Sequence, residues 1–238
     1  MKKTGHAFMR FIAQIRSDMM LVVILLAPLL MGLLFRFVVP MAETALCEYF
    51  HAPQLLDPYY GLFDLLLLTM TAQMFCFCGV MVMLEEIDSG VSSYMMATPL
   101  GKSGYLFSRI GLPTLVACVC NVVVGLLFFL TDIPFWNLLR LSVLSGIMSI
   151  ISALLVISCA SNKVEGMALV KLCGFLFLGL PVPFFLRGGA QYLAGLLPSL
   201  WFAKYAVTGN PAFMFATLSV SFLWIVLIGR RFSRKLFA

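Results

Sequence analysis

The sequence predicts an all-α integral membrane protein: six transmembrane helices, an N-terminal interfacial helix and a short cytoplasmic helix between spans two and three. Three observations carry that prediction. Of 238 residues, 62% are hydrophobic and 11% charged, with a mean hydropathy of +1.05. Soluble domains run about 45–50% apolar and about 25% charged. A chain of this size buries roughly 70% of its surface when it folds in water, and this composition would still leave much apolar surface exposed. A water-soluble enzyme is thereby excluded, and so is a disordered chain, because the hydrophobicity is far too high. Second, the apolar residues fall into six runs of 18 to 23 residues. About 20 residues at 1.5 Å each cross a 30 Å hydrocarbon core as a helix. Third, none of the runs alternates in segments of about ten residues, as a membrane β-barrel requires.

The elements follow in chain order. Residues 1–18 form an amphipathic basic segment. Phe8, Phe11, Ile12, Ile15 and Met19 share one helical face, while His6, Arg10, Gln14 and Ser17 fall elsewhere on the wheel. Such a helix lies on the inner leaflet ahead of a span; the plainer alternative is a basic flanking tail. The spans are read at 19–39, 62–84, 110–130, 138–160, 167–186 and 212–229. The first is too long for a signal peptide, and no small-residue cleavage site follows it, so it is expected to be retained. The connections are too short for an extramembrane domain, so 1–238 reads as one membrane domain without internal repeats.

Basic residues orient the bundle. With the N-terminus inside, twelve of the sixteen Lys and Arg fall on the inner side: Lys2, Lys3, Arg10, Arg16, Lys102, Arg109, Lys163, Lys171, Arg230, Arg231, Arg234 and Lys235. Arg36, Arg140, Arg187 and Lys204 fall outside. This asymmetry places both termini in the cytoplasm. The 40–61 loop carries Glu43, Glu48 and Asp57 and no basic residue, in keeping with an outer position. The net charge of +6 therefore reads as a topology signal, and nucleic acid is not an expected partner. Six of the seven cysteines lie inside apolar runs, so they read as small apolar side chains. No disulfide framework or metal site is expected.

The membrane interior is poor in chemistry. Arg36, Asp64, Arg140 and Lys171 each stand about a turn from a span end, where they are expected to snorkel to the interface. No charge sits near the midplane, as ion-coupled carriers and intramembrane proteases need. Catalytic residues are not expected. Weakly polar residues do occur at depth: Gln73, Asn121 and, at spacings of 3, 4 and 3, Ser142, Ser145, Ser149 and Ser152. These six are a candidate lining of a translocation path. The alternative is close packing of helices through small residues.

The informative segment joins spans two and three. Glu85, Glu86 and Asp88 close span two, Gly90 follows, and Val91, Tyr94, Met95 and Thr98 share a helical face before Pro99 ends the stretch. A helix this short cannot span. It presents an apolar strip beside acids to the cytoplasm, the form of a docking element, or it is an ordinary interfacial loop.

This segment resembles the signature of the type-2 permeases of ATP-binding-cassette (ABC) exporters. That family has six spans, both termini inside and an N-terminal interfacial helix. Its first cytoplasmic loop reads acid-x-acid-x-Gly-Thr, a short helix, then Thr/Ser-Pro-Leu. Here Glu86, Asp88 and Gly90 match, then Thr98, Pro99 and Leu100; Ile87 stands where a basic residue is common and Val91 where threonine is. The gapped apolar segment 187–210, broken by Gly188, Gly189, Gly195 and Pro198, also matches the short outer helices of that family. The resemblance implies a permease subunit in a bacterial inner membrane. It implies docking of a separate ATPase subunit under Ser92, Ser93, Tyr94, Met95, Met96 and Ala97, and a cytoplasmic gate motif of Glu85, Glu86, Asp88, Gly90, Thr98, Pro99 and Leu100. Glu86 and Asp88 would hold the gate or meet a basic residue of the ATPase. No GxxxxGK[ST] phosphate loop occurs in the chain, so ATP and Mg would reside on that partner. A second permease chain, identical or a sister, would complete the path. The substrate expected is a hydrophobic drug, antibiotic peptide or lipid-like molecule. A membrane scaffold without transport, and an ATP-independent carrier or channel, are the alternatives.

Overall fold

The structure, a computed structural model, describes residues 13, 15–16, 18–51, 53–98, 101–186 and 188–237, with side chains to 232. Most of the expected interfacial helix, together with Pro99, Leu100 and Arg187, lies outside the described residues. Those residues form helices and connecting turns without strands, and six helices are long and apolar enough to cross a membrane.

The first, α1 (Met19–Phe50), starts at Asp18, whose carboxylate accepts from the Met20 amide at 3.0 Å. Its 32 residues extend about 48 Å, well beyond a bilayer core. The sequence placed a loop from residue 40, but the helix continues to Phe50 through Pro40. Ala42, Glu43, Ala45, Leu46 and Glu48 are good helix formers, and a search for apolar runs is blind to a polar helix projecting beyond the membrane. His51 then takes a left-handed conformation and ends it. Glu43 ties the following loop back by accepting from the Leu55 amide at 2.9 Å and from Leu56.

Next come α2 (Tyr60–Asp88), α3 (Val91–Ala97) and α4 (Gly101–Leu106). A π-helical turn, Phe107–Gly111, then joins α4 to α5 (Leu112–Phe128) in one span. The fourth span is α6 (Phe135–Cys159). α2 and α6 are the most buried helices and pack against each other, while the last helix is the least buried of the six spans. Small residues allow this closeness: Gly146 of α6 faces Cys118 and Thr114 of α5, and Gly125 of α5 faces Leu138 of α6.

The fifth span is discontinuous, where the sequence suggested one continuous helix. α7 (Lys163–Cys173) is followed by a 3-10 turn at Gly174–Phe177 and by bends up to α8 (Val182–Phe185). Pro181 and Pro183 have no amide to continue the helix. At Gly179 a side chain would strike the Leu200 backbone and the Ser199 hydroxyl. A 3-10 helix (Gly189–Ala194) leads to α9 (Pro198–Thr208), which packs back along α10 (Pro211–Phe237). Several of their polar groups are matched, as a segment away from water requires. Ser199 Oγ donates to the Leu176 carbonyl at 2.6 Å and Trp201 Nε1 to Gly195 at 2.8 Å. Trp224, in the middle of α10, donates to Leu196 at 2.9 Å.

Asp64 does not snorkel. It is buried and accepts from the Leu130 and Thr131 amides at 2.9 and 3.0 Å and from the Thr131 hydroxyl. Arg36 donates to the Phe129 carbonyl at 2.7 Å. These two groups hold α1 and α2 to the end of α5. A buried carboxylate needs such donors, and the loop after α5 supplies them.

Candidate functional site

The chemistry concentrates where α2, α3 and the π-helical turn meet. α2 ends in a local turn: the Ser89 amide donates to the Glu85 carbonyl and that of Gly90 to Ile87, with Gly90 at φ 73°. Only glycine takes that conformation at little cost, so the chain reverses here and α3 starts at once. α3 ends at Thr98, whose backbone is extended and whose hydroxyl donates to the Met95 carbonyl at 2.6 Å. Extension is what a residue before proline requires.

The π-helical turn then aims an arginine inward. Arg109 Nε donates to Glu86 Oε2 at 2.9 Å, and Nη2 donates to Oε1. Tyr105 Oη donates to the same Oε2 at 3.0 Å. Nη2 also contacts the Met95 sulfur of α3 at 3.8 Å. The pair is desolvated, with Arg109 1% and Glu86 5% exposed. Taking two charges out of water is costly unless geometry and further hydrogen bonds compensate, and here a bidentate fork and a phenol supply them. π-Turns insert one extra residue into a helix and often mark functional positions. Here a glycine on the neighbouring helix accommodates it: a Cβ at Gly79 would collide with the Arg109 carbonyl.

α3 is thus fastened on one side and open on the other. Ser92 is buried, and Met95 and Met96 are half-buried against the core. Ser93, Ala97 and Val91 are exposed, and Tyr94 is 73% exposed. Of the strip that spacing turned toward the cytoplasm, Val91 and Tyr94 are exposed while Met95 and Thr98 are half-buried; the inward face is Ser92, Met95 and Met96. Of the acids, Glu85 and Asp88 are exposed. Glu86 is turned inward, so its basic partner is Arg109 of the same chain. Sequence reasoning counted Arg109 only as a topology signal and passed over Tyr105. The available signal was an arginine at the mouth of an apolar run, 23 residues after an acid that closes the preceding one.

A second charged cluster joins three segments at the same end. Lys163 Nζ, at the start of α7, donates to Asp18 at 2.8 Å and to Glu85 at 3.0 Å. The Lys163 ammonium, together with the Met20 and Leu21 amides, holds the Asp18 carboxyl below its ordinary range against the opposing effect of desolvation.

The six polar residues at depth are all buried inside this chain. Asn121 donates to Ser145 Oγ at 2.8 Å, and Cys76 lies 3.0 Å from both Thr114 and Ser149 hydroxyls. Ser142 donates back to Leu138, Ser145 to Ser142 and Ser149 to Gly146 within α6. Gln73 Oε1, Asn121 Oδ1 and Ser152 Oγ are buried without a hydrogen-bond partner. A cavity of about 480 Å³ lies instead at the opposite end of the bundle between Arg36, Phe129, Asp132 and Leu138.

Comparison with known proteins gives this geometry a context. Two curated proteins of Mycobacterium tuberculosis, the fluoroquinolones export permease proteins Rv2686c (strain H37Rv) and MT2760 (strain CDC 1551), are each 27% identical to the chain over 127 residues. Each match takes in 52% of this chain and 50% of the relative, so the chain spans about half the length of the curated relatives it matches. No solved structure matches it. The model of the Rv2686c-like family, described as fluoroquinolones export permease protein Rv2686c-like, matches residues 11–230. A match over nearly the whole chain, on a bundle of six helices able to cross a membrane, identifies it: the chain belongs to the Rv2686c-like family of export permease proteins.

Proposed function

We propose that this chain is the membrane subunit of an ABC exporter of the type-2 class, driven by a separate ATPase subunit. The observation that carries the reading is the construction of α3. A seven-residue helix stands at the bundle end with Tyr94, Ser93 and Ala97 exposed. Its inner face is fastened through Met95 to the Glu86–Arg109 pair. A push on the outer face therefore reaches α2 and the α4–α5 span together, because the pair links them. That is what a transmission element between a soluble motor and a membrane path requires. Asp88 and Tyr94 are the groups offered to the ATPase, with ATP and Mg bound there.

In this reading two such chains, identical or sister, surround the path, and both termini lie in the cytoplasm of a bacterial cell. The basic residues beside α1, α7 and α10 support that orientation. The substrate class follows the relatives' printed name: a fluoroquinolone, a member of the hydrophobic drug class expected from the small loops and the little charge in the spans.

Co-expression with the ATPase encoded beside it tests the reading. The pair should co-purify and turn over ATP, and Tyr94→Glu should release the ATPase while the permease stays folded. A permease that exports substrate after ATP depletion would overturn it.

A further inference from the structure

Lys204 of α9 is only 7% exposed, yet among the described residues no carboxylate pairs with it and its ammonium makes no hydrogen bond. Around it stand three aromatic rings. Nζ lies 3.9 Å from the centroid of Tyr192, 5.6 Å from that of Phe213 and 5.8 Å from that of Trp201. The Trp201 and Phe213 rings are stacked with centroids 6.0 Å apart, and Tyr192 leans on Trp201 at the same distance. Ring faces attract a cation, but a ring offers at most one weak acceptor. The ammonium has three N–H groups, and the rings give none of them a strong acceptor.

The position is equally telling. α9 sits between spans five and six, at the end of the bundle opposite α3. Tyr192 covers the ammonium from the short 3-10 helix that follows Gly188, which holds φ 83°. Tyr192 itself is 56% exposed, so one face of its ring is open to solvent or lipid. The cluster thus offers one positive charge held against three rings, the outermost of which is exposed. The complementary ligand is an amphiphile with a single oxyanion next to an apolar or planar body.

We propose that Lys204, with Tyr192, Trp201 and Phe213, forms an oxyanion-binding site at this end of the bundle for a carboxylate or phosphodiester amphiphile. Two sources supply that chemistry, a dissolved aromatic carboxylate and the headgroup of an anionic phospholipid. The site does not depend on what drives transport, so it stands or falls separately from the ATPase reading.

The test uses the full chain in nanodiscs of phosphatidylcholine, titrated with 2-naphthoate and with its uncharged methyl ester. The acid should bind saturably, and the ester about tenfold or more weakly, since a charge-assisted hydrogen bond is lost. Lys204→Met should lose that preference and Lys204→Arg should keep it. In parallel, nanodiscs containing phosphatidylglycerol are examined by native mass spectrometry. Retained phosphatidylglycerol that depends on Lys204, with no naphthoate binding, identifies the lipid as the source and upholds the site. Equal binding of acid and ester by the unmutated chain, without Lys204-dependent lipid, overturns it. The acid–ester comparison needs no variant, so a misfolded Lys204→Met does not decide the matter.

Discussion

Arg109 and Glu86 stand 23 residues apart in sequence and meet in a bidentate ion pair that neither helix could bury alone. The arginine reaches the carboxylate because the Phe107–Gly111 turn is π-helical. The carboxylate is fixed because Tyr105 Oη donates to the same Oε2. The predictions below start from this pair.

Removing one partner leaves the other charge buried. Arg109→Ala should cost about 3–5 kcal/mol, read as a fall in the unfolding midpoint of the detergent-purified protein. Replacing both, Glu86→Met with Arg109→Met, should recover much of that loss, because no orphaned charge remains. Transport should stay impaired in the double variant if the pair transmits motion. A double variant no more stable than Arg109→Ala would contradict the account of the pair.

Shortening the π-helical turn tests its purpose. Deleting Ser108 removes the extra residue, turns α4 by about 100° relative to α5 and takes Arg109 out of its π-turn geometry. Membrane insertion should persist while the ion pair is lost. A cysteine pair engineered across positions 86 and 109 should then no longer cross-link, whereas it should in the full-length turn.

Gly79 is expected to resist any side chain. A methyl there meets the Arg109 carbonyl, which is backbone and cannot swing aside. Gly79→Ala should destabilise by about 1–3 kcal/mol, against a negligible effect for Gly174→Ala, whose Cβ would meet nothing. Thermal unfolding of the two variants side by side checks this.

Asp64→Ala removes the acceptor for two amides and a hydroxyl at the end of α5. Hydrogen bonds to a charged group are worth about 1.5–3 kcal/mol each, so the loss should exceed 2 kcal/mol. The connection 129–134 should become sensitive to protease added from that side. Unchanged cleavage and unchanged stability would show that the clamp is dispensable.

Asp18 carries the expected dependence on pH. Its carboxyl is held below the usual aspartate range by the hydrogen bond and charge of Lys163. A depressed carboxyl contributes stability that is present above its unfolded pKa and is lost as pH falls through the folded value. Stability should therefore be level from pH 8 to about pH 5 and decline below about pH 4. Because the pair is partly exposed, the effect should be small and reduced by salt. Asp18→Asn should flatten the acid limb while keeping the helix cap, and an unaltered limb would remove the role assigned to Asp18.

How much of this was legible in the sequence differs from element to element. The six apolar runs and the stop at Thr98 before Pro99 follow from local rules: hydrophobic length sets what can cross a bilayer, and proline restricts the residue before it. The turn at Gly90 was legible in the same way, because its requirement is local. The extension of α1 to Phe50 was not, since a polar helix outside the membrane leaves no hydropathy signal. The break after Cys173 was signalled by Gly179, Pro181 and Pro183, but their effect depends on α9 pressing against them.

What the sequence by itself determined is the class of molecule, the spans and the existence of a short helix after α2, because these depend on residues close in the chain. Tertiary structure alone decided which face of that helix is offered outward, with Tyr94 exposed and Ser92 buried. It alone decided that Glu86 belongs to Arg109 and that Lys204 sits among three rings. Each of these is a contact between segments far apart in sequence. Its energy comes from burial, which no single segment encodes: the same glutamate is a solvated loop acid or half of a buried ion pair according to what packs against it.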